Sequence, residues 1–477
     1  MATISVINKS KLEGTSRIDS EFYKQEYLQL NELIKSNEWI KLKSGINDVK
    51  SFGAYALMNK VFYQRSGIPF LRAMNINDCE VDFAGVLFID HEAHRLLYKS
   101  EVYANQVLFS MSGTIGNAVV AASDWIYPIN SSQDVAKITT NEKLNPYYLV
   151  AFLNSKYGLF QTHREAVGSV QQHIFLWQIQ LLNIPLLRNI QDRIAAIVLN
   201  AEILNNKSRK LWADTEKKLL LELNLFNWQS THKKTFVRNN SEVQSALRID
   251  AEHYQPKYDE MIGKIPANVE LIPLRKVATY KKGIEVGSDE YKEKGKPFWR
   301  VSNLTRYGLE KQNLNYISEP LYDELNSRYK PNKGELLLSK DATPGLAYYV
   351  NEEIEGIISS GILKLKLISD IPPYYLETVL NSVFVQMQIE KQAGGSIIIH
   401  WKPKEVMNTL IPRLDDTKEK EINDLVEQSH KQRKQSKQLI EIAKRGVEKA
   451  IEESEAEAER WIIRELSKSE IKLDINS

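Results

Sequence analysis

Two Pro-Tyr clusters come nearest to catalytic chemistry in this chain. Asn145-Pro146-Tyr147-Tyr148 and Ile371-Pro372-Pro373-Tyr374 approach the Asn-Pro-Pro-Tyr cluster that grips an extruded base during amine methylation. One lacks the second proline and the other the asparagine, and no glycine-rich strand-to-helix turn for a methyl donor stands upstream. A helix-start proline followed by core tyrosines is the plainer reading. A phosphate cradle needs Gly-Lys-Ser/Thr, but Gly263-Lys264 is followed by Ile265 and Gly295-Lys296 by Pro297. His91-Glu92-Ala93-His94 is two residues short of the spacing that sets two zinc-binding histidines on one helix face. Gly113-Thr114-Ile115-Gly116 reads as a hairpin or loop rather than a nucleotide turn. The single cysteine, Cys79, excludes a disulfide framework and a multi-thiolate metal site, and suits a reducing cytoplasm. The residues therefore describe a binder with no catalytic, metal or cofactor site of its own.

Something must position a binding surface in a chain this long. At about 100–200 residues per domain, 477 residues make two to four units. Hydrophobic residues at 43% and charged residues at 26% fit a globular protein and exclude wholesale disorder. Lys+Arg (63) and Asp+Glu (61) nearly cancel to +2, so any contact with a polyanion must come from local patches. Lys50, Lys60 and Arg65 form one such patch, and Lys281, Lys282, Lys292, Lys294 and Lys296 another. No run of 18 apolar residues predicts a membrane span, and Met1 to Ser10 lacks a secretory pattern.

The chain is written twice. Arg17-Ile18-Asp19-Ser20-Glu21-Phe22-Tyr23 returns as Arg248-Ile249-Asp250-Ala251-Glu252-His253-Tyr254, an offset of 231. Gly67-Ile68-Pro69-Phe70-Leu71-Arg72 and Asn75 return at offset 228 as Gly295-Lys296-Pro297-Phe298-Trp299-Arg300 and Asn303. Leu108-Phe109-Ser110 with Gly116 returns at offset 229 as Leu337-Leu338-Ser339 with Gly345. At offset 227, Pro146-Tyr147-Tyr148-Leu149, Leu153-Asn154-Ser155, Gly168-Ser169, His173 and Ile184-Pro185 all recur. Ordered matches at nearly constant offset indicate a tandem duplication, with a period too long for a solenoid.

Each copy has the same plan. A short amphipathic helix opens it, near 20–36 and near 252–263. Short strands rich in Val, Ile, Phe and Tyr follow. A late helix runs near 146–161 or 373–391, and a final strand reaches Ile-Pro. Two long helices then interrupt, at about 189–225 and 416–466. Ile190, Ile194, Ile197, Ala201, Leu204, Ser208, Leu211 and Thr215 stripe the first. Ile422, Val426, Ser429, Arg433, Ser436, Ile440, Ala443 and Val447 stripe the second. The three-four spacing is a coiled-coil seam, and a helix with one weak stripe needs a partner. The expected architecture is α+β: two tandem α/β domains, each followed by a long helix, with the helices paired as an antiparallel coiled coil. Expected boundaries are 1–187 and 247–413 for the domains, 188–226 and 414–469 for the helices, 227–246 for a linker and 470–477 for a tail.

Taken in order, Gly67 to Asn75, Leu108 to Gly116, Asn130 to Gln133, Pro146 to Ser155, Gly168 to Gln171 and Ile184 to Leu187 resemble the target-recognition domain of type I restriction–modification specificity subunits. The resemblance covers nearly the whole chain, twice. The second copy departs from it: Lys340 to Gly345 replaces Met111 to Gly116, and Gly361 is expected where Gln133 stands. The resemblance implies a cytoplasmic, non-catalytic phage-defence subunit that recognises a bipartite, asymmetric site in double-stranded DNA. It implies docking of two methyltransferase subunits, which bring S-adenosylmethionine for adenine N6 methylation, and in some systems of motor-nuclease subunits. A helix of 36 residues is about 54 Å long, so the half-sites are expected one turn of DNA or more apart. Two rival readings stay open, a coiled-coil interaction scaffold without DNA specificity and a standalone methyltransferase. A similar subunit of another phage-defence system is a third.

Base reading needs planar bidentate groups, and phosphate contact needs cations, hydroxyls or backbone N–H groups. The candidates in the first copy are Arg72, Asn75, Ser112, Thr114, Gln133, Gln171, Gln172 and His173. Those in the second are Arg300, Asn303, Arg306, Lys340, Thr343, Ser396, His400 and Lys402. Recurrence of the Arg and His pairs fits structural roles equally well. Trp39, Trp125, Trp177, Trp299 and Trp401 are expected as core or interface anchors rather than base-stacking platforms. Lys431, Arg433, Lys434, Lys437, Lys444 and Arg445 read as a solvated helix face, with phosphate contact along the DNA between half-sites or docking to an acidic partner as the alternatives.

Overall fold

The computed structural model describes residues 20–52, 61–64, 66–83, 85–168, 172–246, 248–393, 399–469 and 471. The chain divides into two compact units. Unit 1 is Met1–Asn205 with Lys434–Ser477, and unit 2 is Asn206–Arg433. Each mixes helix and strand around its own apolar core.

Unit 1 runs α1 (Gln25–Lys35), β1 (Trp39–Lys41), β2 (Ile46–Lys50), β3 (Ile68–Leu71), β4 (Ile76–Asn77), β5 (Glu80–Val81), β6 (Leu87–Ile89), α2 (His91–Leu96), β7 (Glu101–Val102), β8 (Val107–Ser110), β9 (Ala118–Val120), β10 (Ile129–Ser131), β11 (Val135–Thr140), α3 (Pro146–Asn154), α4 (Lys156–Glu165), α5 (Leu176–Ile179) and β12 (Asn183–Pro185). One antiparallel sheet has the order β2-β11-β8-β9; a second, β6-β3-β10-β7, sets β10 parallel to β3. The long helix α6 (Gln191–Glu222) follows.

Unit 2 repeats the plan. After α7 (Asn240–Ala246) and α8 (Pro256–Lys264) come β13 (Glu270–Pro273), β14 (Ala278–Lys282), β15 (Lys296–Trp299), β16 (Leu304–Thr305), β17 (Gly308–Leu309), β18 (Asn315–Ile317), α9 (Glu319–Tyr329), β19 (Glu335–Ser339), β20 (Ala347–Tyr349), β21 (Ile357–Ile358), β22 (Ile362–Leu367), α10 (Pro373–Asn381), α11 (Val383–Gln392), α12 (Pro403–Asn408) and β23 (Leu410–Arg413). Its sheets, β14-β22-β19-β20 and β18-β15-β21, follow those of unit 1, with β15 and β21 again parallel; among the described residues the second has three strands and no counterpart of β7. The chain ends in α13 (Asp416–Glu452) and α14 (Glu455–Ser469).

The repeated motifs are repeated bonds. Expected as one late helix, each copy's Pro-Tyr-Tyr segment is two, because Ser155 and Ser382 take an extended backbone and end the first. Before that break, Asn154 accepts from Ala118 N (3.1 Å) and donates to Ala118 O (2.8 Å), pinning α3 to β9. Asn381 does the same to Ala347, at 3.2 and 2.8 Å. Tyr148 Oη donates to Pro185 O and Tyr375 Oη to Pro412 O, at 2.6 and 2.7 Å. These bonds satisfy backbone groups that burial would otherwise strand. Gly116 and Gly345 both hold φ +94, in the left-handed region, where a Cβ would press on α4 or α11.

Most seam residues are buried within each unit, and Leu204, Leu211 and Ile440 are half-buried. In unit 2, Ser208 meets Ser429 (Oγ–Oγ 3.0 Å) and Glu222 meets Lys418 (2.7 Å), so these parts of α6 and α13 run antiparallel. In unit 1, Ser436 Oγ donates to Ala201 O at 2.6 Å, while Asn189 N donates to Glu455 at 2.7 Å, with the same sense. The second long helix does not continue unbroken to Leu466. Ser454 caps α14 through Glu457 N (3.2 Å), and α14 lies against α13 where Gly446 leaves room for Ile462. No described helix is long and apolar enough to cross a membrane.

Candidate nucleic-acid interface

Three loops converge at one edge of each unit. In unit 1, Ser132 N donates to Leu71 O (2.8 Å), Met111 N to Asp134 O (2.8 Å) and Ile174 N to Met111 O (3.0 Å). In unit 2, Ser359 N donates to Trp299 O (2.8 Å), Lys340 N to Gly361 O (2.9 Å) and Trp401 N to Lys340 O (2.8 Å). The same bonds tie the same loops. They also correct the expected alignment: Gly361 stands opposite Asp134, and Ser360 takes the place of Gln133. The offset falls from 229 to 227 after β8, so counting across the intervening loops misplaces the residue by one.

A second repeated feature shapes the loop after β3. Arg72 N donates to Asn75 Oδ1 (2.9 Å), Asn75 Nδ2 to Asp82 O (3.2 Å) and Arg72 Nη2 to Gly85 O (3.3 Å). In unit 2, Arg300 N donates to Asn303 Oδ1 (3.1 Å), Asn303 Nδ2 to Glu310 O (3.1 Å) and Arg300 Nη2 to Asn313 O (3.0 Å). Asn75 and Asn303 are buried, with their amides engaged by the loop. Each arginine is half-buried and keeps a buried Nε without a hydrogen-bond partner.

The other candidates spread around this framework. Ser112 bridges to His173, and Thr114 Oγ1 donates to Ala73 O at 3.2 Å, so the strand-turn loop joins the other two. Gln133 is half-buried, with its Oε1 buried and unpartnered. Gln172 is exposed and meets His163 at 3.2 Å. Gln171 and Ser396 lie outside the described residues, as do Lys60 and Arg65. In unit 2, Asp341 binds His400 Nδ1 at 2.8 Å and also Lys340. Burial alone would raise the Asp341 carboxyl; the Lys340 and His400 bonds outweigh it and hold it below its ordinary range. Thr343, His400 and Lys402 are exposed, whereas Lys340 is buried. Arg306 is not brought to these loops: on the β16–β17 turn it lies 3.9 Å from Glu216 of α6.

Several exposed residues escaped sequence reasoning. Met74, Phe175 and Trp177 are exposed in unit 1. Trp177 is thus no core anchor, unlike the buried Trp299 and Trp401. Lys404 is exposed in unit 2. The sequence signal that could have found them is the offset itself, which sets Phe175 and Trp177 opposite Lys402 and Lys404. Beneath the loops lie two equivalent buried lysines, Lys137 and Lys364. Lys364 has Glu335 at 3.4 Å. Lys137 has Ser131 Oγ at 3.1 Å, and burial, helped by Lys50, pushes its ammonium down to about 8. Among the described residues, no three metal-binding side chains cluster.

No family model and no curated protein matches the chain. Along nine-tenths of its length it is similar to solved type I restriction–modification S subunits. The one from M. genitalium is 13% identical, covering 91% of this chain and 96% of that one, with a TM-score of 0.35. The HsdS subunit from Thermoanaerobacter tengcongensis is 16% identical over 91% and 96%, with a TM-score of 0.26. A chain from a study of type I R-M complex assembly is 17% identical over 91% and 97%, with a TM-score of 0.27.

Proposed function

We propose that the chain is the non-catalytic DNA-specificity subunit of a type I restriction–modification complex. Each unit reads one half of a bipartite, asymmetric site. The observation that carries this reading is the duplication itself, carried down to individual hydrogen bonds beneath rims that differ. A conserved framework under divergent exposed residues suits two readers of one polymer with different targets. The exposed or partly exposed groups, Arg72, Thr114, Gln133, Gln172 and His173 in unit 1 and Arg300, Thr343, His400 and Lys402 in unit 2, offer the donors and acceptors that base edges and phosphates require. Adenine-N6 methyltransferase subunits dock on this chain, bring S-adenosylmethionine and carry out the reaction; motor-nuclease subunits join where restriction accompanies modification. The assembly works in the cytoplasm.

The test is DNA binding by the full chain with its methyltransferase subunits, measured by fluorescence anisotropy over a salt series. Affinity should fall with log salt at a slope of roughly 0.9 per phosphate contacted, and a site-bearing duplex should outcompete random sequence. A scaffold would show neither dependence, and binding of labelled S-adenosylmethionine by the chain alone would favour a methyltransferase instead.

A further inference from the structure

The short helices α5 and α12 begin in the same way. Phe175 N donates to Gln178 Oε1 at 2.9 Å, and Lys402 N donates to Glu405 Oε2 at 3.0 Å. Each follows a histidine bridged to the strand-turn loop, Ser112 to His173 in one unit and Asp341 to His400 in the other. The backbone therefore starts both helices alike, while the exposed chemistry differs. Phe175 is 45% exposed and Trp177 52%, where unit 2 carries exposed Lys402 and Lys404. Across the loop, Met74 is 60% exposed where unit 2 carries exposed Ser302. One neighbour runs the other way, Ile399 standing exposed opposite Gln172. The His173 ring meets the Phe175 ring edge-on, with centroids 4.9 Å apart, so Phe175 continues the surface of the candidate His173.

We infer that this helix start contacts DNA in both units by different means: Phe175 and Trp177 stack on bases in one half-site, and Lys402 and Lys404 neutralise phosphates in the other. The inference rests on the proposed function and deepens it. Two exposed lysines on the same scaffold position are suited to a polyanion. If the units grip one polymer, the aromatic pair meets it too. Aromatic rings gain little from phosphates but stack on any base face, which requires the duplex to open or kink locally. Unit 1 would thus distort its half-site, and unit 2 would hold its half-site by charge.

The experiment uses the full chain with its methyltransferase subunits, and a duplex carrying the mapped site with 2-aminopurine placed stepwise through one half or the other, away from each adenine that the methyltransferase subunits extrude and from its immediate neighbours. The wild-type complex should change 2-aminopurine emission in the unit 1 half only. F175A/W177A should abolish that change and weaken binding roughly tenfold for each lost stack, with the salt slope unchanged. W177F should restore much of the signal, which a variant failing through misfolding would not do. K402A/K404A should keep the emission change and lower the salt slope by roughly 1.8. The inference is overturned if wild-type complex binds the site with silent 2-aminopurine throughout. It is also overturned if F175A/W177A binds and reports as wild type, or if it sheds the methyltransferase subunits while the chain's own DNA binding persists. Absence of any sequence-dependent DNA binding by the wild-type complex would instead remove the proposed function.

Discussion

Replacing Lys137 by Met should stabilise unit 1, although it removes a hydrogen bond. Lys137 lies on β11 between Lys50 of β2 and Leu108 of β8, and is almost wholly buried. Among the described residues no carboxylate lies within ion-pair distance of it. Burial moves its ammonium from 10.5 down to about 8, which at about 1.4 kcal/mol per unit is a cost of about 3.5 kcal/mol. Losing the Ser131 bond costs about 1 kcal/mol, and Ser131 Oγ retains Ser100 O at 3.1 Å. The net gain at pH 7 is about 2.5 kcal/mol, or roughly sixtyfold in the opening equilibrium. The sign with pH follows from the depressed value. Below pH 8 both folded and unfolded lysine are charged and the cost is complete. Between about pH 8 and 10.5 the unfolded chain holds the extra proton, so stability rises and the advantage of Met fades. Hydrogen exchange of β8 and β11 amides in both proteins, at pH 7 and at pH 9.5, reads this locally. Equal or faster exchange in Lys137→Met at pH 7, or a gain that does not shrink at the higher pH, would refute the reasoning.

Glu202 on α6 is held by burial, with help from Asp124, at about 7. The folded state therefore keeps a proton that the unfolded chain releases above about 4.5, and unit 1 should lose stability as pH rises through that window; Glu202→Gln should flatten the dependence of Tm between pH 5 and 7.5. Asn154→Ala should strand both backbone groups of Ala118 and cost about 2–4 kcal/mol in denaturant unfolding, with Asn381→Ala costing unit 2 a similar amount. Ser208→Val or Ser429→Val alone should destabilise by about 1–2 kcal/mol, whereas the double variant should recover much of the loss, giving a coupling energy in a double-mutant cycle.

Much of this molecule was legible because duplication converts weak motifs into paired ones. Leu-Asn-Ser and Pro-Tyr-Tyr recur because Asn154, Asn381, Tyr148 and Tyr375 hold backbone groups that a single sequence cannot reveal as partners. The seam was readable because Ile190, Ile194, Ile197, Ile422, Val426 and Val447 keep helical spacing. The helix break was not: Ser454 is one cap among many serines, and Gly446 matters only through Ile462, which the fold brings to it. The Gly361 register was misplaced by the two-residue change in offset after β8. Recurrence also could not separate contact from scaffold, and Arg72 with Asn75 shapes its loop as a backbone staple. Exposure of Trp177 and burial of Lys137 both run against residue-type preference; composition points to neither, and only the offset that sets Trp177 opposite Lys404 points to the first.

The most direct test of the central claim is to map adenine methylation after co-expressing the chain with its methyltransferase subunits, and again after exchanging the loops 66–83, 111–116 and 130–134 of unit 1 with those of a diverged copy. Two separate readers on one chain should give a two-part site with an unread gap, of which only one part changes on exchange. A single continuous motif, or methylation unaffected by the exchange, would contradict it.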